Sequence, residues 1–387
     1  MRNRFSISLI WVAILALTAN TFAQDFTQSD LPEGAKARLD KGTISELAYS
    51  PDGKHLAVAS GTEIWLYDAQ TGEELDLLAG HTDVVISIAF SPDSNTLTSG
   101  GSDGTVHLWD TAARSKSRTL TAHTGAITVA FSPDGNTLAS GNRDGIIRLW
   151  DVAIDSEIQA LKGHVGWVSS IAFSPDSKTL ASGGSDHTVR LWDVATGSEI
   201  RTFARHTDAV ISIAFSPDGN TLASGGAWQE GIVRLWNVAT GNEIQTLTTH
   251  TDAVVSIAFS PDSNTLASGS RDNTLRLWDI ATGNEIRTLT AHTAPVISIA
   301  FSPDSNTLAS SGLDSVVLLW EFHPAAPAQP PEDVNKDGVV NILDLTLVAA
   351  NFGKSGENDA DVNADGVVNI LDLTLVAAAF GNIAAAP

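Results

Sequence analysis

Two sets of residues in this sequence have the types and spacing that chemistry needs. In the first, His81, His123, His164, His206, His250 and His292 stand at one place in a recurring segment. Asp103, Asp144, Asp186, Asp272 and Asp314 each lie six residues before a tryptophan, and Glu230 lies six before Trp236. Together with the serines of the segment these are the parts of a nucleophilic hydrolase triad. A nucleophile is needed once, whereas these residues recur six times. Such repetition suits a buried polar network, which is stable only when every member is satisfied. The remaining His55, His107, His187 and His323 have no zinc-like spacing, and neither a glycine-rich phosphate loop nor a nucleophile elbow is present.

The second set is acidic. Residues 333–353 and 361–381 are two copies of a 21-residue segment that differ only at Lys336/Ala364 and Asn351/Ala379. Each opens Asp-Val-Asn-x-Asp-Gly-Val-Val-Asn-Ile-Leu-Asp, with oxygen donors at loop positions 1, 3, 5, 9 and 12 and glycine at 6. Calcium takes six to eight oxygens, one from a backbone carbonyl at position 7, around a sharp turn that glycine makes easily. The first copy offers Asp333, Asn335, Asp337, the Val339 carbonyl, Asn341 and Asp344. The second offers Asp361, Asn363, Asp365, the Val367 carbonyl, Asn369 and Asp372. Two calcium ions are expected, one per loop.

The elements that position the first set follow from a repeat. Ser-Pro-Asp occurs at Ser50, Ser91, Ser132, Ser174, Ser216, Ser260 and Ser302, a period of 41 to 44 residues, which is the length of a four-stranded propeller blade. Within one copy, Val168 to Phe173 is a β-rich run, Ser174-Pro175-Asp176 a turn, and Thr179 to Ser182 begins a second strand. Val189 to Trp192 alternates as a third strand, and Glu199 to Phe203 forms a fourth. A single such sheet cannot bury both faces, but seven stacked radially can. The Gly-His pairs at His81 and His164, with Leu-Trp-Asp at Trp109, Trp150, Trp192 and Trp278, resemble WD40 repeats over residues 35–323. That resemblance implies an all-β, seven-bladed propeller. It also implies that the histidines and acids join Ser99, Ser140, Ser182, Ser224, Ser268 and Ser310 in a His-Ser-Asp-Trp cluster inside each of six blades. The seventh unit ends at Trp320 without a fourth strand, and the resemblance implies that Ala35 to Leu39 fills the gap. The first blade has Gly42 for histidine and Tyr67 for tryptophan, and is expected to be the least rigid.

The tandem acidic loops, with aspartate rather than glutamate at position 12 and no full helix before either loop, resemble a type I dockerin. This implies a small α-helical module with two calcium loops over residues 332–387, binding a cohesin-like module on a scaffold or surface protein. The partner-reading positions would be Ile342 and Leu343, and Ile370 and Leu371. These are apolar where the best-known pattern has serine and threonine. They mark either an exposed interface or packing of the helix pair.

A net charge of −23 over 387 residues disfavours nucleic acid and anionic membrane and suits calcium. Arg2 and Arg4, the apolar run Phe5 to Leu17, and Thr21-Phe22-Ala23 read as a signal peptide, residues 1–23, so the chain is expected to be secreted without a membrane span. Residues 24–34 read as a flexible segment, and the proline- and alanine-rich 324–331 as a linker. Differences among repeats gather in the turn between second and third strands, at Arg143, His187 and Arg271, with an insertion at Trp228. Trp167 lies at the same rim. Aromatics with arginine there suit a protein or carbohydrate partner. The expected function is a non-catalytic binding or scaffold protein docked through calcium and cohesin. The alternative is a carbohydrate-active enzyme or accessory of a cellulosome-like complex, since dockerins most often carry glycoside hydrolases.

Overall fold

Seven antiparallel four-stranded sheets make up the propeller in the computed structural model. It describes residues 31, 32 and 34–322 apart from Lys41, Ala122, Thr124, Ala126, Trp228 and Gln229. Towards the C-terminus it describes Val334, Ile342–Asn351, Phe352, Ala360, Val362, Val368 and Ile370–Ala378. The blades, in chain order, cover residues 44–79, 85–121, 127–162, 168–203, 210–247, 254–289 and 296–321. In each, the first strand touches the first strands of both neighbours, and these contacts run unbroken around the ring.

Strand formation follows from local chemistry. In the fourth blade the β-rich run Val168–Phe173 pairs with Thr179–Gly184, so that Ala172 opposes Ala181 and Phe173 opposes Leu180. The Ser-Pro-Asp turn between them closes on itself. Ser174 Oγ donates to Asp176 Oδ1 at 2.7 Å and accepts from the Thr179 amide at 2.9 Å, while Ser177 takes φ 62°. Such a turn satisfies its own backbone before any tertiary contact forms. Where serine follows the aspartate the turn also ties blades together: Ser177 Oγ accepts the Asp134 amide at 3.0 Å, and Ser94 Oγ accepts that of Asp52 at 3.0 Å.

The core is a set of clusters between adjacent blades rather than one central mass. Ala139, Ile147, Leu149 and Leu161 of the third blade pack against Val168, Phe173, Leu180 and Trp192 of the fourth, all buried. The same arrangement recurs around the ring. A second tie joins the innermost strands. The Leu47 amide donates to Ser298 Oγ, Val129 to Ser87, Ile213 to Ser170, Ile257 to Ser212 and Ile299 to Ser256, at 3.0 to 3.2 Å. Between the first and second blades Glu46 replaces that serine, and its Oε2 accepts the Ile88 amide at 2.5 Å.

Closure is as expected. Ala35–Asp40 pairs antiparallel with Val316–Glu321 and completes the seventh blade, the pairs running from Ala35 opposite Trp320 to Asp40 opposite Val316. In the C-terminal region Ile342–Asn351 and Ile370–Ala378 are helices in contact, with Val334, Val348, Val368 and Val376 buried between them. Among the described residues no helix is long and apolar enough to cross a membrane.

Removing residues 35–40 should take about five ladder hydrogen bonds and the burial of Leu39 from the seventh blade. At about 1 kcal/mol per bond and about 2 °C per kcal/mol for a domain of this size, the melting temperature should fall by about 10 °C. Calorimetry on the truncated chain checks this; an unchanged melt would show that closure does not hold the ring.

Candidate functional site

Each repeated polar cluster is assembled from three places in one blade. In the fourth, Gly163-His164 leads into the first strand, Ser182 lies on the second, Asp186 sits in the turn after it and Trp192 ends the third. Trp192 Nε1 donates to Ser182 Oγ at 2.8 Å, and Ser182 Oγ lies 2.7 Å from His164 Nε2. His164 Nδ1 lies 2.9 Å from Asp186 Oδ1. Because the carboxylate can only accept, Nδ1 carries the imidazole proton and Nε2 accepts from the serine, so every group in the chain is satisfied. The same bonds form in the second, fifth, sixth and seventh blades, with Glu230 serving His206 in the fifth.

Burial fixes the charges. It pushes the His164 imidazole below its ordinary pKa, with Asp186 partly opposing. Asp186 also resists burial: the Val165 amide, Thr188 and His164 all donate to it, and its carboxyl falls to about 2. The serine is 0 % exposed. A nucleophile sealed in this way reaches no substrate, and the cluster acts as a structural pin.

The third blade departs from the expected six-fold pattern. His123 Nε2 meets Ser140 Oγ at 2.6 Å, but His123 Nδ1 has no hydrogen-bond partner among the described residues. Asn142 explains the break. Its counterparts in the second, fourth and seventh blades are Gly101, Gly184 and Gly312, where a Cβ would meet the histidine Nδ1 and the aspartate, and in the sixth the smaller Ser270, beside which the His250–Asp272 bond is kept. Asn142 fills that space and binds the Asp144 amide through its own Oδ1 at 3.1 Å. Burial, helped by Arg148, pushes His123 down to about 4.

Spacing alone gives His107 no cluster, yet its ring lies 4.1 Å from that of His81, and the ligand atoms of His81, Asp103 and His107 are within 4.8 Å of one another. It occupies the site of Arg148, Arg190, Arg234 and Arg276 in the next four blades. Its Nδ1 is taken by Thr119 Oγ1 at 2.8 Å, and both nitrogens of His81 are taken by Asp103 and Ser99. The group is an extension of the polar cluster.

On the face formed by the turns between second and third strands, the Arg143 guanidinium lies 4.4 Å above the Trp167 ring. Trp167 is 53 % exposed and Val165, two residues before it, 80 %. His187, at φ 66°, and Arg271 occupy equivalent exposed turns in the fourth and sixth blades. Trp228 lies outside the described residues. So do Asp333, Asn335, Asp337, Val339, Asn341, Asp361, Asn363, Asp365, Val367 and Asn369. Asp344 and Asp372, with Ile342, Leu343, Ile370 and Leu371, fall in the first turns of the two helices, and their side chains lie outside the described set.

A family model for the WD domain, G-beta repeat, matches residues 72–110, 114–151, 155–193, 197–237, 241–279 and 283–321, more than half of the chain. The chain belongs to the WD40-repeat family. Each matched WD40 unit runs from the fourth strand of one blade through three strands of the next, the arrangement that leaves residues 35–40 to close the ring. A dockerin type I domain matches residues 331–381. Relatives include an uncharacterized WD repeat-containing protein of Synechocystis, 35% identical over 23% of this chain and 26% of its own length. The Target of rapamycin complex subunit wat1 of Schizosaccharomyces pombe is 40% identical over 19% of this chain and 24% of its own, and WD repeat-containing protein 1 of Gallus gallus 37% identical over 20% and 13%. The matched stretches span about a quarter or less of these relatives. Type I dockerins are calcium-binding modules, and the all-oxygen donor sets of the two loops fit that hard cation.

Two predictions follow from the polar groups. Asp186→Ala orphans His164 Nδ1 and the Val165 amide and should cost about 2 kcal/mol, whereas Asp144→Ala, which meets no histidine, should cost less than about 1 kcal/mol; urea unfolding of the two variants makes the comparison. Burial between blades raises Glu46 to about 7, against the Ile88 hydrogen bond, while an unfolded glutamate titrates near 4.5. The folded state therefore holds this proton more tightly, and its stability falls as pH rises from about 4.5 to 7. Glu46→Gln should be progressively favoured over the parent across that window, by about 1 to 3 kcal/mol at the top, as measured by denaturant melts at several pH values.

Proposed function

We propose that this protein is a secreted, non-catalytic adaptor. Its dockerin docks by calcium to a cohesin-like module on a scaffold or surface protein, and its propeller presents a protein or carbohydrate partner. The observation that carries the reading is the pairing of a dockerin with a propeller whose recurrent histidine, serine and acid clusters are sealed inside the blades. Residues 1–23 serve as the signal peptide and residues 324–331 as the linker between the modules.

In the dockerin, Asp333, Asn335, Asp337, Val339, Asn341 and Asp344 hold one calcium ion, and Asp361, Asn363, Asp365, Val367, Asn369 and Asp372 the second. The ions supply the charge that gathers each acidic loop and so set the helices that follow. Ile342 and Leu343, or Ile370 and Leu371, then read the cohesin-like partner; the near-identity of the two copies lets either present the same pair. On the propeller, the Arg143 and Trp167 pair is the anchor of the partner face. An aromatic ring held by a guanidinium provides broad contact area at little loss of side-chain freedom. Val165 extends the apolar area, and His187, Arg271 and Trp228 belong to the same rim.

Immobilising the chain and recovering partners from the organism's secreted fraction tests both halves. A partner retained in calcium should be lost in chelator and in the Asp333→Ala, Asp361→Ala double variant. Trp167→Ala should leave that partner in place and remove a second one. Retention that ignores chelation would overturn the dockerin as the docking element.

A further inference from the structure

Long polar side chains lie across most blade junctions at their outer edges, four of them hydrogen-bonded to the neighbouring blade, and at one junction none does so among the described residues. In the second to sixth blades the residue opposite the central leucine of the third strand reaches from the fourth strand towards the next blade. Arg118 donates to the Val152 carbonyl at 3.0 Å. Gln159 Nε2 donates to the Thr196 carbonyl at 2.7 Å, and Gln245 Nε2 to that of Thr282 at 3.1 Å. Gln159, Arg201 and Gln245 lie so close over Gly197, Gly241 and Gly283 that a Cβ on any of these would overlap them, and Arg287 covers Gly34 in the same way. Between the first and second blades Arg114 crosses in the other direction, to the Leu75 carbonyl at 2.9 Å.

At the closing junction the equivalent residue is Ala37, opposite Leu319. The receiving glycine is still there: Gly72, φ 72°, has only Leu39 within 4 Å of its Cβ position among the described residues. Of two further substitutions, one widens the gap and the other brings a hydroxyl into it. Ala69 stands where other blades have Val152, Val194, Val238 or Ile280, and Tyr49 stands where they have Phe131, Phe173, Phe215 or Phe259. The result is a cavity of about 590 Å³ lined by Ala37, Tyr49, Ala69, Thr71, Gly72 and Asp304, among others, a volume that suits a small ligand. The Tyr49 hydroxyl is buried without a hydrogen-bond partner among the described residues, a cost that a ligand would relieve. The carboxylates of Asp52 and Asp304 also line the cavity, with Lys36 beside Asp304.

We propose that this seam is a binding site for a guanidinium group on an aliphatic stem, which takes the place that the interblade arginine or glutamine holds at the other junctions. The stem would lie over Gly72, and the planar N–H groups would meet the Thr71 carbonyl, the Tyr49 hydroxyl and the carboxylates. Fixed donors on a planar group suit this mixture of acceptors better than a compact ammonium does. A guanidinium bound here would tie the seventh blade to the first.

Thermal melts of the full chain with agmatine, and with cadaverine as an ammonium control, test the site. Agmatine should raise the melting temperature saturably by about 2 to 4 °C, and cadaverine should not. Ala37→Arg supplies the missing arm in cis; it should raise the melting temperature without ligand and abolish the agmatine shift. Tyr49→Phe, which restores the residue of the other blades, should weaken agmatine about fivefold. No agmatine shift in the parent chain, an equal shift from cadaverine, or a shift that survives Ala37→Arg would each overturn the proposal. None of these outcomes depends on calcium or on the face around Trp167.

Discussion

An antiparallel sheet of four short strands has apolar residues on both faces and two open edges, and no arrangement of that sheet alone removes both problems. Every feature of the propeller answers this constraint. Leu180 and Trp192 of the fourth blade are covered only because Ile147 and Leu149 of the third are placed against them, and the same holds around the circle. Stability is thus a property of the interfaces, and the ring must be closed for the first and last interfaces to exist. Closure with a strand from the far end of the chain, Ala35–Asp40, makes it impossible to release one end without exposing the edge of the seventh blade.

The polar clusters serve the same end at another level. A blade turn carries backbone amides, such as that of Val165, that must find acceptors near a buried face. Asp186 takes that amide, is held by His164, and reaches through Ser182 to Trp192, whose indole is 2 % exposed in the core. Turn and core are thereby joined by one hydrogen-bonded line. Its protonation states follow from its order, because each donor faces one acceptor. The third blade shows the limit of that line: Asn142, larger than Gly184 of the neighbouring blade or Ser270 of the sixth, fills the space, and His123, bonded to Ser140 through Nε2, has no partner at Nδ1 among the described residues.

Much of this was legible in the sequence. The period and the Ser-Pro-Asp turns gave strand order and blade count, because periodicity is a property that a single chain displays, and the WD40 resemblance supplied the closing strand. The cluster membership was legible for five blades and wrong for the third, since the asparagine acts by occupying space between two other residues rather than by its place in the motif. His107 was hidden for a related reason: its two-residue offset from Trp109 says nothing of the ring on the adjacent element that it approaches. Glu46 was equally silent, as it stands in for a serine that the blade motif does not mark and that bonds to a different blade. The contact of Arg143 with Trp167 joins neighbouring blades, and the sequence placed both at the rim without pairing them.

The unevenness of the repeats carries the functional information. Six units share a sequence close enough to be one module copied, and such copies present the same surface in every direction. Besides the buried departures at Glu46, His107 and Asn142, differences gather in the turns that hold Arg143, His187 and Arg271, and at the closing junction, where Ala37, Tyr49 and Ala69 depart together. At the turns Val165 and Trp167 are exposed, with the Arg143 guanidinium over the Trp167 ring. The closing junction carries the Tyr49 hydroxyl, buried without a hydrogen-bond partner among the described residues, beside the Asp52 and Asp304 carboxylates, and on our proposal it takes a small group bearing donors. Because that junction is also the one that completes the ring, occupancy there would act on the whole propeller, whereas occupancy at the turns would act on one face.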